Sequence, residues 1–267
     1  MGIRKLYSNC EIGGSIYLQM CNLDIEFILK DQRENFLDSI LAIMHKLHAT
    51  KYHLNNYITI EKEQLQQFKT SFGKGDYTTR EALELIYELE AFLFQVKSSL
   101  DMMVKLLIPI VGKNIVHTKT FGDKGKKVIK GLEKFKEKSG VNVVAVSSLI
   151  ELIKSDKDSW LEQVVNIRDE LNHIRGLRDY AFEPVKLPNG KLGIQKPRFK
   201  NMDTVDFMKL VYSNNLGFHQ DFIAYVLAIK APPTFVLKQA NAEITKEKFG
   251  DDGHYVKWGW GVILNSK

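Results

Sequence analysis

REALELIYELEAFLFQVKSSLDMMVKLLIPIV, residues 80 to 111, decides what kind of fold this chain adopts. Leu85, Leu89, Phe92, Val96, Met103, Leu107 and Ile110 recur at helical spacing and form one apolar stripe. Leu93, Leu100 and Leu106 widen it. A helix this apolar is expected to be central, with neighbours on several sides. Thr78 or Thr79 can cap it, and Glu81 and Glu84 suit its first turn. Its polar members Glu90, Lys97 and Asp101 share a narrow face, which reads as a partly exposed seam or as support for a neighbouring site.

Working outward, residues 1 to about 25 read as loop or short strand, with two adjacent glycines. Phe36, Ile40, Ile43 and Leu47 predict a helix from Asp31 to about Tyr52. A shorter helix is expected around EKEQLQQF, before the loop GKGDYTT. A basic amphipathic helix follows at about Lys124 to Lys138, with Lys126, Lys130, Lys134 and Lys138 opposite Val128, Ile129, Leu132 and Phe135. Most such lysine rows are solvated faces; an RNA-backbone contact is the alternative. Helices are also expected at Val143 to Lys154, Trp160 to about Arg175, and residues 203 to 230. The last of these buries Phe207, Leu210, Val211, Phe218, Phe222, Val226 and Leu227, and Pro232 and Pro233 end it. Between residues 180 and 197, alternation around Asn189-Gly190 signals a β-hairpin.

The expected fold is therefore all-α: a helical bundle with one β-hairpin insertion and a C-terminal extension. Residues 1–75 form an N-terminal helical part of the same globule, 76–230 the main helical domain, and 231–267 a mixed tail.

The chain has 267 residues, enough for a sizeable core, with 44% hydrophobic and 26% charged residues. Its net charge of +6 mildly favours an anionic partner. Cys10 and Cys21 form neither a disulfide framework nor a zinc motif, so a reducing cytoplasm is the expected location. No apolar stretch is long enough to span a membrane, and MGIRKLYSNCEIGGS makes a poor signal peptide.

Chemistry concentrates in NIRDELNHIRG, residues 166 to 176. Trp160, Val164, Ile167, Leu171 and Ile174 form the core stripe of this helix. Beside it run Leu161, Val165, Arg168, Asn172 and Arg175, an edge that starts apolar and becomes polar. Asp169 and His173 are an i,i+4 pair, so the carboxylate could orient the imidazole. Arg168 and His173 point about 140° apart at 100° per residue, so they converge more readily across a two-fold axis than within one chain. Leu161 and Val165 could then supply the dry part of the dimer contact. The plain alternative is a solvated helix face with weak ion pairs.

The spacing Arg168-x4-His173 resembles the motif of the HEPN superfamily, helical proteins that include many metal-independent ribonucleases of toxin and defence systems. A polar residue follows the arginine, and ELEAFLFQVKSSLDMMVKLL looks like the preceding partner helix of those domains. The resemblance covers roughly residues 80 to 230, and the hairpin departs from the simplest bundle. It implies RNA as substrate, a homodimer, no cofactor and no metal, and a possible protein antitoxin or regulator. In that scheme His173 serves as base or acid and Arg168 clamps the phosphate. Asn172 donates to phosphate, Asp169 orients His173, and Lys126, Lys130, Lys134 and Arg175 contact RNA. The alternative is a non-catalytic helical module that dimerises and binds RNA or a partner protein; a weaker third reading is a small-molecule enzyme.

Other candidates carry less. His45, His48 and His53 lack a nearby carboxylate in sequence, so a metal site is disfavoured. No P-loop, dinucleotide fingerprint or GxSxG is present. Trp258 and Trp260 either stack on bases or dock onto their own domain, as aromatic pairs more often do.

Overall fold

The computed structural model describes residues 11–25, 32–75, 78–112, 120–122, 125–138, 140–172, 180–199, 202–232 and 234–263, with backbone alone for 168–172. These residues are mostly helical, with small antiparallel sheets. The helices are α1 (Gln19–Asn22), α2 (Arg33–Gly73), α3 (Leu83–Val111), α4 (Lys126–Lys136), α5 (Val143–Asp156), α6 (Glu162–Asn172), α7 (Thr204–Lys230) and α8 (Ala242–Phe249). The strands are β1 (Arg80–Glu81), β2 (Ala181–Lys186), β3 (Leu192–Gln195), β4 (Arg198–Phe199), β5 (Met202–Asp203), β6 (Phe235–Gln239) and β7 (Trp258–Val262).

Strand content beyond the expected hairpin refines the all-α expectation to a mainly helical fold. The apolar stripe of α3 is buried throughout, from Leu85 to Ile110. The helix starts at Leu83 rather than after Thr79, because Arg80 and Glu81 pair with Phe182 and Ala181 instead. α2 runs unbroken for 41 residues, where a break near residue 53 was expected. No proline or glycine interrupts residues 33–72, and the polar stretch is rich in strong helix formers.

The described chain forms two compact units, one within 1–48, 97–162 and 214–267, the other within 49–96 and 163–213. In the first unit, Gly13–Leu18 is a π-helical segment leading into α1, not loop or strand. A Cβ at Gly14 would lie 2.5 Å from the Tyr255 ring, so glycine permits that close approach. Phe218 of α7 lies edge-on to Phe121 at 6.1 Å and to Trp160 at 6.2 Å. Asn142 caps α5 by accepting from Ala145 N at 3.1 Å, while its amide donates to Ala228 O of α7. α5 continues through a π-helical turn, Lys157–Leu161, into α6. There Trp160 Nε1 donates to Asp156 Oδ1 at 2.5 Å. Desolvation of Asp156 nevertheless raises its pKa. β6 and β7 pair antiparallel, with Leu237 opposite Trp260. Leu210, in the second unit, is the exception on α7: it is 52% exposed because it lies outside the arc of Phe207 and Val211.

In the second unit the order is β1-β2-β3, all antiparallel. The hairpin joining β2 to β3 is where Asn189-Gly190 signalled it, but its turn has its own chemistry. Gly190 N donates to Leu187 O at 2.9 Å, with Pro188 and Asn189 in the central positions. Among described non-glycine residues only Asp24 has positive φ, so Asn189 stays right-handed and the turn is type I. Gly190, at φ 79°, then takes the left-handed position of a bulge. Nearby, the Tyr57 and Tyr180 hydroxyls bond to each other in the core. Burial raises both phenols' pKa values. Lys196 donates to buried Glu61 at 2.8 Å and to Asp203 at 3.2 Å, tying β3 and β5 to α2.

Candidate functional site

The helix carrying the charged motif is α6. Its core stripe is buried as far as it is described: Trp160, just before the helix, is 5% exposed, Val164 1% and Ile167 0%, while the Leu171 side chain and Ile174 lie outside the described residues. Arg168, Asp169 and Asn172 belong to the last turns of α6, Arg168 and Asn172 one turn apart. Their side chains, and all of His173 and Arg175, lie outside the described residues. The adjoining edge is different from expectation. Leu161 is 0% exposed and Val165 8%, so both are consumed by the chain's own core and offer no dry dimer surface. The π-helical turn that ends at Leu161 re-phases the helix, which a uniform 3.6-residue wheel does not anticipate.

Lys126, Lys130 and Lys134 stand exposed on α4, while Val128, Leu132 and Phe135 are buried. The neighbouring Glu133 engages Lys136 at 2.9 Å and Lys154 at 4.0 Å. The hydrogen bond from Lys136 holds the Glu133 carboxyl below its ordinary value. The row is therefore a mainly cationic surface: Glu133 is turned to other lysines, and exposed Glu137 lies at its end.

Spacing alone missed the carboxylate partner of His53. His53 Nδ1 donates to Glu88 Oε2 at 2.7 Å, and Asn56 Nδ2 reaches the other oxygen at 3.4 Å. Because a carboxylate accepts, Nδ1 carries the hydrogen in this contact. The partner carboxylate lies 35 residues away on α3, so no local pattern could reveal it. Among the described residues no group of three or more His, Cys, Asp or Glu could hold a metal ion. The polar seam of α3 divides: Glu90 is exposed, while Lys97 and Asp101 pair at 2.5 Å. Asp101 also accepts from Phe121 N at 2.7 Å, so it serves the fold.

Both tail tryptophans dock on their own unit. Trp258 Nε1 donates to Asp221 Oδ1 at 2.8 Å, and Trp260 Nε1 to Leu23 O at 2.7 Å. Buried Gln19 acts as a substitute strand beside β7. Its oxygen accepts from Lys257 N and Trp258 N, both at 2.8 Å, and its amide donates to Trp258 O at 2.9 Å. Among the described residues, no helix is long and apolar enough to cross a membrane. No family model, curated protein or solved structure matches the chain.

Proposed function

We propose that the chain is a metal-independent RNA endonuclease of the HEPN type, acting as a homodimer. The observation that carries this reading is the seating of α6: Val164 and Ile167 of its apolar stripe are buried, and Arg168 and Asn172 follow on the same helix, with His173 next in sequence. The exposed lysines of α4 supply a surface suited to a phosphate backbone.

In this mechanism His173 removes the proton from an RNA 2′-hydroxyl, which attacks the adjacent phosphate. Arg168 holds the phosphate and stabilises its developing charge, with Asn172 as a further donor and Asp169 orienting His173. The products carry a 2′,3′-cyclic phosphate and a 5′-hydroxyl. Two copies related by a two-fold axis bring the motifs around one cleft.

The test is incubation of purified protein with mixed RNA in EDTA, beside a His173→Ala variant. Cleavage by the wild type alone supports the reading. No cleavage by either, from protein that still binds RNA, leaves a non-catalytic binding module in its place.

A further inference from the structure

The first half of α3 is apolar on two sides. Leu85, Leu89, Phe92 and Val96 are wholly buried. Opposite them, Leu83, Tyr87 and Phe94 are 51%, 62% and 51% exposed. At 100° per residue these three fall within about 40° of one another, with Glu90 on the same face between Tyr87 and Phe94. Three half-exposed large side chains present on the order of 300 Å² of apolar surface, the scale at which a patch on a soluble protein marks an interaction site.

Charge narrows the choice of occupant. Residues 83–96 carry Glu84, Glu88 and Glu90 and no cation. Glu88 is held by His53 and Glu84 accepts from Gln64 Nε2 at 2.7 Å, yet Glu84 and Glu90 are both exposed, Glu84 beside the row and Glu90 within it. Glu90 lies about 20° from Leu83 on one side, and Glu84 about 60° from Tyr87 on the other. Two copies of this face brought together would set carboxylate against carboxylate. Nucleic acid is opposed by the same carboxylates.

We infer that this face of α3 docks a basic amphipathic helix of another polypeptide. Its apolar residues lie along Leu83, Tyr87 and Phe94, and its lysines or arginines meet Glu84 and Glu90. The inference does not rest on RNA cleavage; it concerns a separate surface.

The probe is a synthetic leucine–lysine amphipathic helix, with its leucine–glutamate counterpart as control, titrated against the full chain by calorimetry. The leucine–lysine helix binds saturably with one-to-one stoichiometry, and the leucine–glutamate helix does not bind. A Tyr87→Ser/Phe94→Ser variant binds at least tenfold more weakly, while Glu90→Gln weakens binding about threefold and flattens its salt dependence. All three positions are exposed, so circular dichroism and Tm should match the parent. Equal affinity for both peptides overturns the inference. So does binding unchanged in the double variant, or self-association that the double variant abolishes, which would give the face to a second copy.

Discussion

Trp258 donates its indole hydrogen to Asp221, and Lys257 reaches the same carboxylate at 2.7 Å. Tyr225 completes the cluster, its ring 5.7 Å from Trp258. A side chain held by both its polar tip and its ring is part of the fold. Trp258→Ala should cost about 2 kcal/mol, less than the ~3–5 of a fully buried aromatic, because Trp258 is only half-buried. Denaturant unfolding measures the loss. RNA affinity well below Tm should hold; a loss of affinity at unchanged stability would make Trp258 a base-stacking residue instead.

Gly190 is the hairpin's sensitive position. At φ 79° an alanine is strained, so Gly190→Ala should destabilise by about 1 kcal/mol. Gly190→Asn should cost less, because asparagine tolerates the left-handed region. Thermal unfolding of the two variants checks the order.

His219 is wholly buried, and desolvation lowers its pKa from 6.5 to about 4 against the opposing backbone hydrogen bonds. Above about pH 6.5 both folded and unfolded chains hold it neutral. As pH falls toward about 4, the unfolded chain binds a proton that the folded chain refuses, and stability drops. The loss is on the order of 3 kcal/mol for this group. His219→Leu should flatten the stability profile across that window, as read by urea midpoints at each pH.

The lysine row is tested by salt. If Lys126, Lys130 and Lys134 each neutralise a phosphate of single-stranded RNA, the triple alanine variant should lose about two units of slope in log affinity against log salt. An unchanged slope makes the row a solvated face and removes α4 from the RNA interface.

The features legible in the sequence were those set by local periodicity or local turn chemistry. The α3 stripe from Leu85 to Ile110 repeats with the helix and is buried with it. The hairpin announced itself because Pro188, Asn189 and Gly190 are consecutive. What stayed hidden depends on distant partners. Glu88 meets His53 only because two helices pair, and Arg80 is taken from the start of α3 by Phe182, about a hundred residues later. The mirror-side row of Leu83, Tyr87 and Phe94 was masked by the helix's overall apolarity, which reads as burial on every side. Of the candidate site, the seating of α6 was legible; the π-helical turn that buries Leu161 was not.

Gln19 fills the place of a neighbouring strand for residues 257 and 258, which follow it by 238 and 239 positions. During translation this join cannot form until the 239 residues after Gln19 have been made. Until the ribosome has delivered Trp258, the Gln19 amide has no strand to cap and must remain hydrated. A contact of such long sequence separation forms after local elements such as α2, so the order of folding follows the order of synthesis at this join.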